Sequence, residues 1–222
     1  MHKNIQFRIT KDGAHTLYIP EMDECYHSMH GAINESVHVF LQAGFSYHTL
    51  TSVKILEIGF GTGLNAILTM IRAEEERRPV IYHSIDIYPL PMDIIAGLNY
   101  PELLSGIYKK IFIQMHEASW DKEHEITYFF RLKKILADIQ DYEIQDHYDV
   151  VYFDAFAPDK QPELWLEGIF TKIFHAMAPG GILTTYSSKG EIQRRLTRSG
   201  FIVDKIPGPP GKREMLRCIK KN

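Results

Sequence analysis

From Val53 onward the apolar residues come in compact runs separated by stretches of mixed polarity. Val53–Ile58, 80–87, 148–154 and 182–186 are short and apolar, the pattern of strands buried on both faces. Between them, 64–78, 163–177 and 191–199 read as helices, ended by Pro79, by Pro179-Gly180-Gly181 and by Gly200. Shorter helices are expected at 91–98 and 102–109, and extended segments at 126–130 and 132–137. The last two apolar runs, 201–206 and 214–219, flank only a Pro-Gly-rich turn at 207–211. They must pair antiparallel, because a parallel crossover needs a dozen or more residues. Ahead of Val53, strands at 5–9 and 16–19 flank the hairpin signal Asp12-Gly13, and 33–40 looks helical with Asn34 as its cap. Such alternation predicts an α/β fold with a mostly parallel, seven-stranded sheet ending in an antiparallel strand. A small hairpin-and-helix extension (residues 1–50) would precede the body (51–222). No internal repeat or low-complexity tract interrupts it.

The chemistry concentrates where the first sheet strand ends. Residues 55–65 read Ile-Leu-Glu-Ile-Gly-Phe-Gly-Thr-Gly-Leu-Asn. Gly59, Gly61 and Gly63 let the backbone turn sharply and a ligand come close. A phosphate-binding loop would need a Lys-Ser or Lys-Thr pair after the last glycine, and the dinucleotide pattern would need glycine at Leu64. What remains is G-x-G-x-G behind the strand-end carboxylate Glu57, followed by Asn65, an arrangement that suits a nucleoside without pyrophosphate. S-adenosylmethionine is the leading candidate, with Glu57, Gly59, Phe60, Gly61, Gly63 and Asn65 as its contacts. Ligands of open α/β sheets bind beyond the carboxyl ends of the strands, and three further acids fall there. Asp86 follows Gly63 by 23 positions, a spacing that suits ribose hydroxyls. Asp138 is placed for an adenine amino group, and Asp154 for the reacting centre. A parallel sheet closed by an antiparallel hairpin is also the build of Rossmann-like S-adenosylmethionine-dependent methyltransferases.

Composition narrows the setting. The 222 residues, 45% hydrophobic, suffice for one full core. No run of about 20 apolar residues can span a membrane, and Met1-His2-Lys3-Asn4 leads into no secretory signal. Cys25 and Cys218 form no disulfide framework, so a reduced, cytoplasmic protein is expected. Cys25, His27, His30 and His38 match no standard metal spacing, and no metal is expected. The net charge of -3 is uneven: residues 186–222 hold ten Lys or Arg against three acids, leaving the first 185 strongly acidic. A basic end on an acidic body suits either nucleic acid or a solvated helix face. Lys160, Lys189, Arg194, Arg195, Arg198, Lys212 and Arg213 are the candidate phosphate contacts, with Phe156 and Trp165 as stacking partners for a splayed base.

Five segments together resemble one family: the glycine turn, Ser84-Ile85-Asp86-Ile87-Tyr88-Pro89-Leu90, the stretch from Asp154-Ala155-Phe156-Ala157-Pro158 to Trp165, Gly211-Lys212-Arg213-Glu214-Met215-Leu216, and the upstream run from Gly31 to Phe40. The chain is similar to the methyltransferase domain of the bifunctional tRNA 5-methylaminomethyl-2-thiouridine biosynthesis proteins, the MnmC type. The resemblance implies methyl transfer from S-adenosylmethionine to the amine of 5-aminomethyl-2-thiouridine at the tRNA wobble position. Asp154 would be the catalytic residue at the amine, and Phe156, Pro158, Lys160, Trp165, Lys212 and Arg213 would bind substrate. Relatives usually carry glycine at the place of Ala155 and often Glu at that of Asp86. The bifunctional proteins carry a flavin-dependent oxidase domain after this one; this chain ends at Asn222, so upstream tRNA-modifying enzymes are expected to supply the aminomethyl group. Two other readings stay open: methylation of a small-molecule amine or hydroxyl on the same fold, and a non-catalytic RNA-binding module. The oligomeric state is left open.

Overall fold

The computed structural model describes residues 4–221. Met1 to Lys3, within the segment read for a secretory signal, and Asn222 lie outside the described residues. The chain opens with a three-stranded antiparallel sheet, β1 (Gln6–Ile9), β2 (His15–Ile19) and β3 (Glu24–Cys25). The expected hairpin is there, with Gly13 at positive φ in its turn; β3 is too short to announce itself in the sequence. α1 (Ala32–Ser36) then runs directly into a π-helix, Val37–Phe45. The helix starts behind Gly31, so Asn34 lies inside it and does not cap it.

The body follows as β4 (Val53–Ile58), α2 (Leu64–Glu76), β5 (Val80–Asp86), α3 (Met92–Ala96), α4 (Tyr100–Leu103), α5 (Lys109–Glu117), β6 (Glu123–Thr127), β7 (Phe130–Leu136), β8 (Tyr148–Phe153), a 3₁₀ turn (Pro162–Trp165), α6 (Glu167–His175), β9 (Met177–Thr185), α7 (Gly190–Arg198), β10 (Ile202–Pro207) and β11 (Glu214–Ile219). The sheet has eight strands in the order β10-β11-β9-β8-β4-β5-β7-β6, one more than the seven expected. The extra strand comes from the 126–137 region, which a turn at Tyr128-Phe129 folds into the β6–β7 antiparallel pair. β9, β8, β4, β5 and β7 run parallel, and antiparallel pairs close both edges.

Two helices and one helix stop differ from expectation, each for a local reason. The helix expected at 102–109 is interrupted where Ser105 and Gly106 take positive φ, leaving α4 before them and α5 after. Extended backbone at Leu166 (ψ 149°) splits 163–177 into the 3₁₀ turn and α6. Pro179-Gly180-Gly181 does not end a helix; it lies inside β9, where the pairing with β8 shifts register.

The core lies on both faces of the sheet. One layer holds Phe40, Phe45, Met70 and Tyr152 under α2 and the π-helix; the other holds Phe153, Trp165, Phe170 and Leu196 under α6 and α7. The N-terminal extension is bonded to the body along its length. The His15 amide donates to Asn99 Oδ1 (2.7 Å), Lys160 Nζ to the Met22 carbonyl (2.8 Å), and Lys212 pairs with Glu35 (2.7 Å). Among the described residues no helix is long and apolar enough to cross a membrane.

Candidate active site

A cavity of about 270 Å³ opens at the carboxyl ends of β4, β5, β7 and β8. Its floor is the turn between β4 and α2. Gly59 and Gly61 take φ of 94° and 51°, a region side chains rarely adopt. Close approach also enforces glycine: a Cβ at Gly59 would sit 3.0 Å from the Asp154 carbonyl oxygen, and one at Gly61 3.2 Å from the Tyr26 ring. Gly63 lies away from the cavity lining, where a Cβ would strike His116 Nε2 at 2.7 Å. Phe60 lines the cavity, with its ring against His116 and Trp120.

Three of these strand ends contribute an acid to the cavity. Asp86, the last residue of β5, accepts the Gly61 amide on Oδ2 (2.9 Å) and the Tyr88 amide on Oδ1 (2.7 Å), which fixes the turn. Asp138 follows β7 by two residues and accepts the Gln140 amide (2.9 Å); both residues line the cavity. Asp154 follows β8, with its amide on the Ile58 carbonyl (3.1 Å) and its Oδ2 accepting from Asn65 Nδ2 (2.8 Å). Burial pushes the Asp154 carboxyl up to about 7; the Glu35 charge adds to this, and the Asn65 hydrogen bond and Lys212 oppose it.

The loop carrying Asp138 is held from below. Lys172 Nζ donates to the carbonyls of Ile139 (2.8 Å), Gln140 (2.7 Å) and Tyr142 (3.0 Å). Lys172→Met should remove these charge-assisted bonds and lower the local opening free energy of residues 139–142 by about 1–3 kcal/mol. Hydrogen exchange checks this: those amides should exchange on the order of ten- to a hundredfold faster, while amides of β4 and β8 keep their protection.

Several expected contacts lie elsewhere. Glu57 is fully buried beneath the turn, not on the cavity wall, and accepts from Asn65 Nδ2 (3.0 Å) and Ser84 Oγ (2.7 Å). Trp165 is fully buried too; its ring packs on Phe153 and Phe170, and its Nε1–H donates to the Phe156 carbonyl (2.7 Å). It cannot stack on a base. Phe156 does line the cavity, edge-on to Tyr26, whereas Pro158 lies outside the lining. The basic residues are mostly engaged by the protein itself. Lys160 holds Met22, Lys189 pairs with Asp159 (2.7 Å), Arg195 with Glu191, and Arg198 with Glu167 (2.5 Å). Lys212 sits between Glu35 and the Tyr186 ring. Arg194 and Arg213 are exposed.

Among the lining residues that sequence reading missed, four come from the N-terminal extension. Glu24, Cys25, Tyr26 and His27 form one wall of the cavity, and His27 Nε2 lies 2.8 Å from Thr62 Oγ1 in the glycine turn. No local pattern announces this, because the contact spans 35 residues. His30 and His38 lie apart from it, beside Lys11 and the Pro207 carbonyl, and among the described residues no three His, Cys, Asp or Glu side chains could hold a metal ion.

Residues 102–221 match the family described as S-adenosyl-L-methionine-dependent methyltransferase. The tRNA 5-methylaminomethyl-2-thiouridine biosynthesis bifunctional protein MnmC of Aeromonas salmonicida is 31% identical over 94% of this chain and 34% of its own length. The protein of the same name from Paraburkholderia xenovorans is 29% identical over 90% and 33%. The chain thus spans about a third of the length of these curated relatives. Among solved structures, MNMC2 from Aquifex aeolicus superposes with a TM-score of 0.79 at 26% identity, covering 97% of this chain and 70% of that one. A glycine turn and a row of strand-end acids on this sheet, together with a match over more than half of the sequence, place the chain in the S-adenosyl-L-methionine-dependent methyltransferase family.

Proposed function

We propose that the protein methylates the amine of 5-aminomethyl-2-thiouridine at the wobble position of tRNA. The observation that carries this is Asp154, a carboxylate at the cavity wall whose proton affinity is tuned to about neutral pH, beside the glycine turn. The names of the relatives supply the substrate class.

The cavity suits the methyl donor. Gly59 and Gly61 line it with backbone, Asp86 and Asp138 offer carboxylates, and Asn65 Oδ1 is a buried acceptor that no described residue satisfies. Gly59, Phe60, Gly61, Asn65, Asp86 and Asp138 would hold S-adenosyl-L-methionine, with Tyr26 and Gln140 as further walls; Glu57 and Gly63 support the turn from behind. When bound, it supplies an electrophilic methyl group on a sulfonium sulfur. Residues 51–222 form the methyltransferase body, and residues 1–50 an extension that completes its cavity.

Asp154 orients the amine and accepts its proton. An alkyl ammonium has a pKa of about 10.4, so the neutral nucleophile is scarce near pH 7 and an ionised acceptor beside it is needed. Tyr26 and Phe156 line the same cavity as Asp154, whose carboxylate is desolvated by burial. A tRNA substrate places the reaction in the cytoplasm, downstream of enzymes that install the aminomethyl group.

Methyl-labelled donor and tRNA lacking the terminal methyl test the reading. Label should appear in the wobble nucleoside after digestion; donor binding without transfer to tRNA would leave the small-molecule alternative and the non-catalytic module. Arg194 and Arg213, exposed at the basic end, are the proposed phosphate contacts. Arg213→Ala should weaken tRNA binding uniformly and reduce the slope of log affinity against log salt by about one. A slope equal to wild type would remove Arg213 from the interface.

A further inference from the structure

Asn65 is the second residue of α2. Its amide nitrogen donates one hydrogen to Glu57 Oε1 (3.0 Å) and the other to Asp154 Oδ2 (2.8 Å), so a single side chain bridges two carboxyl groups. Glu57 is anchored in turn by Ser84 Oγ on its second oxygen (2.7 Å). Reversing the amide would set its oxygen against the Asp154 carboxylate, an acceptor, so its orientation is dictated by that neighbour. Asn65 is 2% exposed and cannot turn away. No other hydrogen bond among the described residues reaches the Asp154 carboxylate.

We propose that Asn65 is a positioning residue for Asp154: Glu57 and Ser84 fix its amide, and the amide fixes Asp154 Oδ2, leaving Oδ1 to face the acceptor amine. The function of this Ser84–Glu57–Asn65 chain rests on the methyl-transfer reading of the site. Glu57 acts through a partner and touches neither donor nor acceptor. Burial pushes its carboxyl up to about 8, so near neutral pH it is largely protonated. The chain therefore sets a geometry without adding a full negative charge behind Asp154. The ionisable groups acting on Asp154 are Glu35 and Lys212 on one side and Glu57 on the other; the hydroxyls of Tyr82 and Tyr186, both pushed up by burial, stay neutral.

The consequence is readable in a titration. The Asn65 hydrogen bond favours ionised Asp154, so its loss raises the pH at which that carboxyl ionises. In Asn65→Ala the rising limb of kcat/KM against pH should move up by about one unit, with kcat on the order of ten- to a hundredfold lower. Glu57→Ala should move the limb the same way although Glu57 does not line the cavity. Glu57→Gln should largely restore it, since Gln offers Asn65 the same carbonyl acceptor and Ser84 a donor. Carbon-13 NMR of the Asp154 carboxyl, assigned by its loss in Asp154→Asn, follows the same ionisation without turnover. A limb and a carboxyl titration that stay at wild-type values in both Asn65→Ala and Glu57→Ala would overturn the proposal. Wild-type protein that transfers no methyl to tRNA, with the carboxyl titration still shifted by Asn65→Ala, would instead overturn the functional reading alone. Should Glu57→Ala fail to fold, Asn65→Ala against Glu57→Gln decides the same question.

Discussion

Replacing Asp154 by Asn should lower kcat for tRNA methylation by a factor on the order of 10² to 10⁴, the range for loss of one general base. Affinity for S-adenosyl-L-methionine, read by calorimetric titration, should stay within a few-fold of wild type. The substitution is nearly isosteric, and the new amide oxygen still accepts from Asn65 Nδ2. The pH profile separates this from general damage. With wild type, kcat/KM should rise as Asp154 ionises and level off above about pH 7, because the carboxylate takes a proton that the ammonium otherwise holds. With Asp154→Asn the rise should continue toward about pH 10, where the amine titrates on its own. A profile unchanged by the substitution would end the case for Asp154 as proton acceptor.

Stability offers an independent check with a definite sign. The folded-state value of about 7 lies above the unfolded 3.8, so the folded protein holds this proton more tightly. The contribution is complete below about pH 3.8 and is lost as pH rises through about 7. Asp154→Asn lacks that loss, and removing the Asp154 charge also brings the Glu57 carboxyl down, an effect of the same sign. The variant's melting temperature relative to wild type should therefore rise between pH 4 and pH 8.

Trp165→Ala should be the most damaging single change to stability, costing about 3–5 kcal/mol. Trp165 is fully buried against Phe153 and Phe170, and its loss also strips the Phe156 carbonyl of its donor. For a chain of this size each kcal/mol lowers the melting temperature by about 2–4 °C, so a fall of roughly 6–20 °C is expected. tRNA affinity measured well below that transition should hardly change. A surface stacking residue would behave oppositely, losing affinity and keeping its melting temperature. Trp165→Phe should fall between, retaining most of the packing and losing the hydrogen bond.

What the sequence discloses follows the range of the forces involved. Val53–Ile58 and Tyr148–Phe153 are buried on both faces of the sheet, so their composition alone marks them as interior strands. The glycine turn is equally plain, because backbone conformation at Gly59 and Gly61 restricts the residue itself. Asp86, Asp138 and Asp154 reach the cavity as expected, since a parallel sheet places all strand ends on one side. Failures concern partners distant in sequence. Lys212 reads as a free cation until Glu35, 177 residues away, is brought beside it. Trp165 reads as a stacking partner for a base until β8 and α6 close over it. Nothing near Tyr26 signals that it ends up against Gly61. The Ser105-Gly106 break that separates α4 from α5 is local, and there the sequence signal outweighs the run of good helix formers around it.

The place of β11 constrains how the chain can be assembled as it is synthesised. This strand is the last in sequence, yet it lies between β9 and β10, paired to both. β10 leaves the ribosome first but has no neighbour in the sheet until residues 214–219 emerge. Until then β9 presents an open edge, the state most exposed to pairing with other chains. Sheet closure at this end is thus a late event, governed by the final strand rather than by the glycine turn where the chemistry resides.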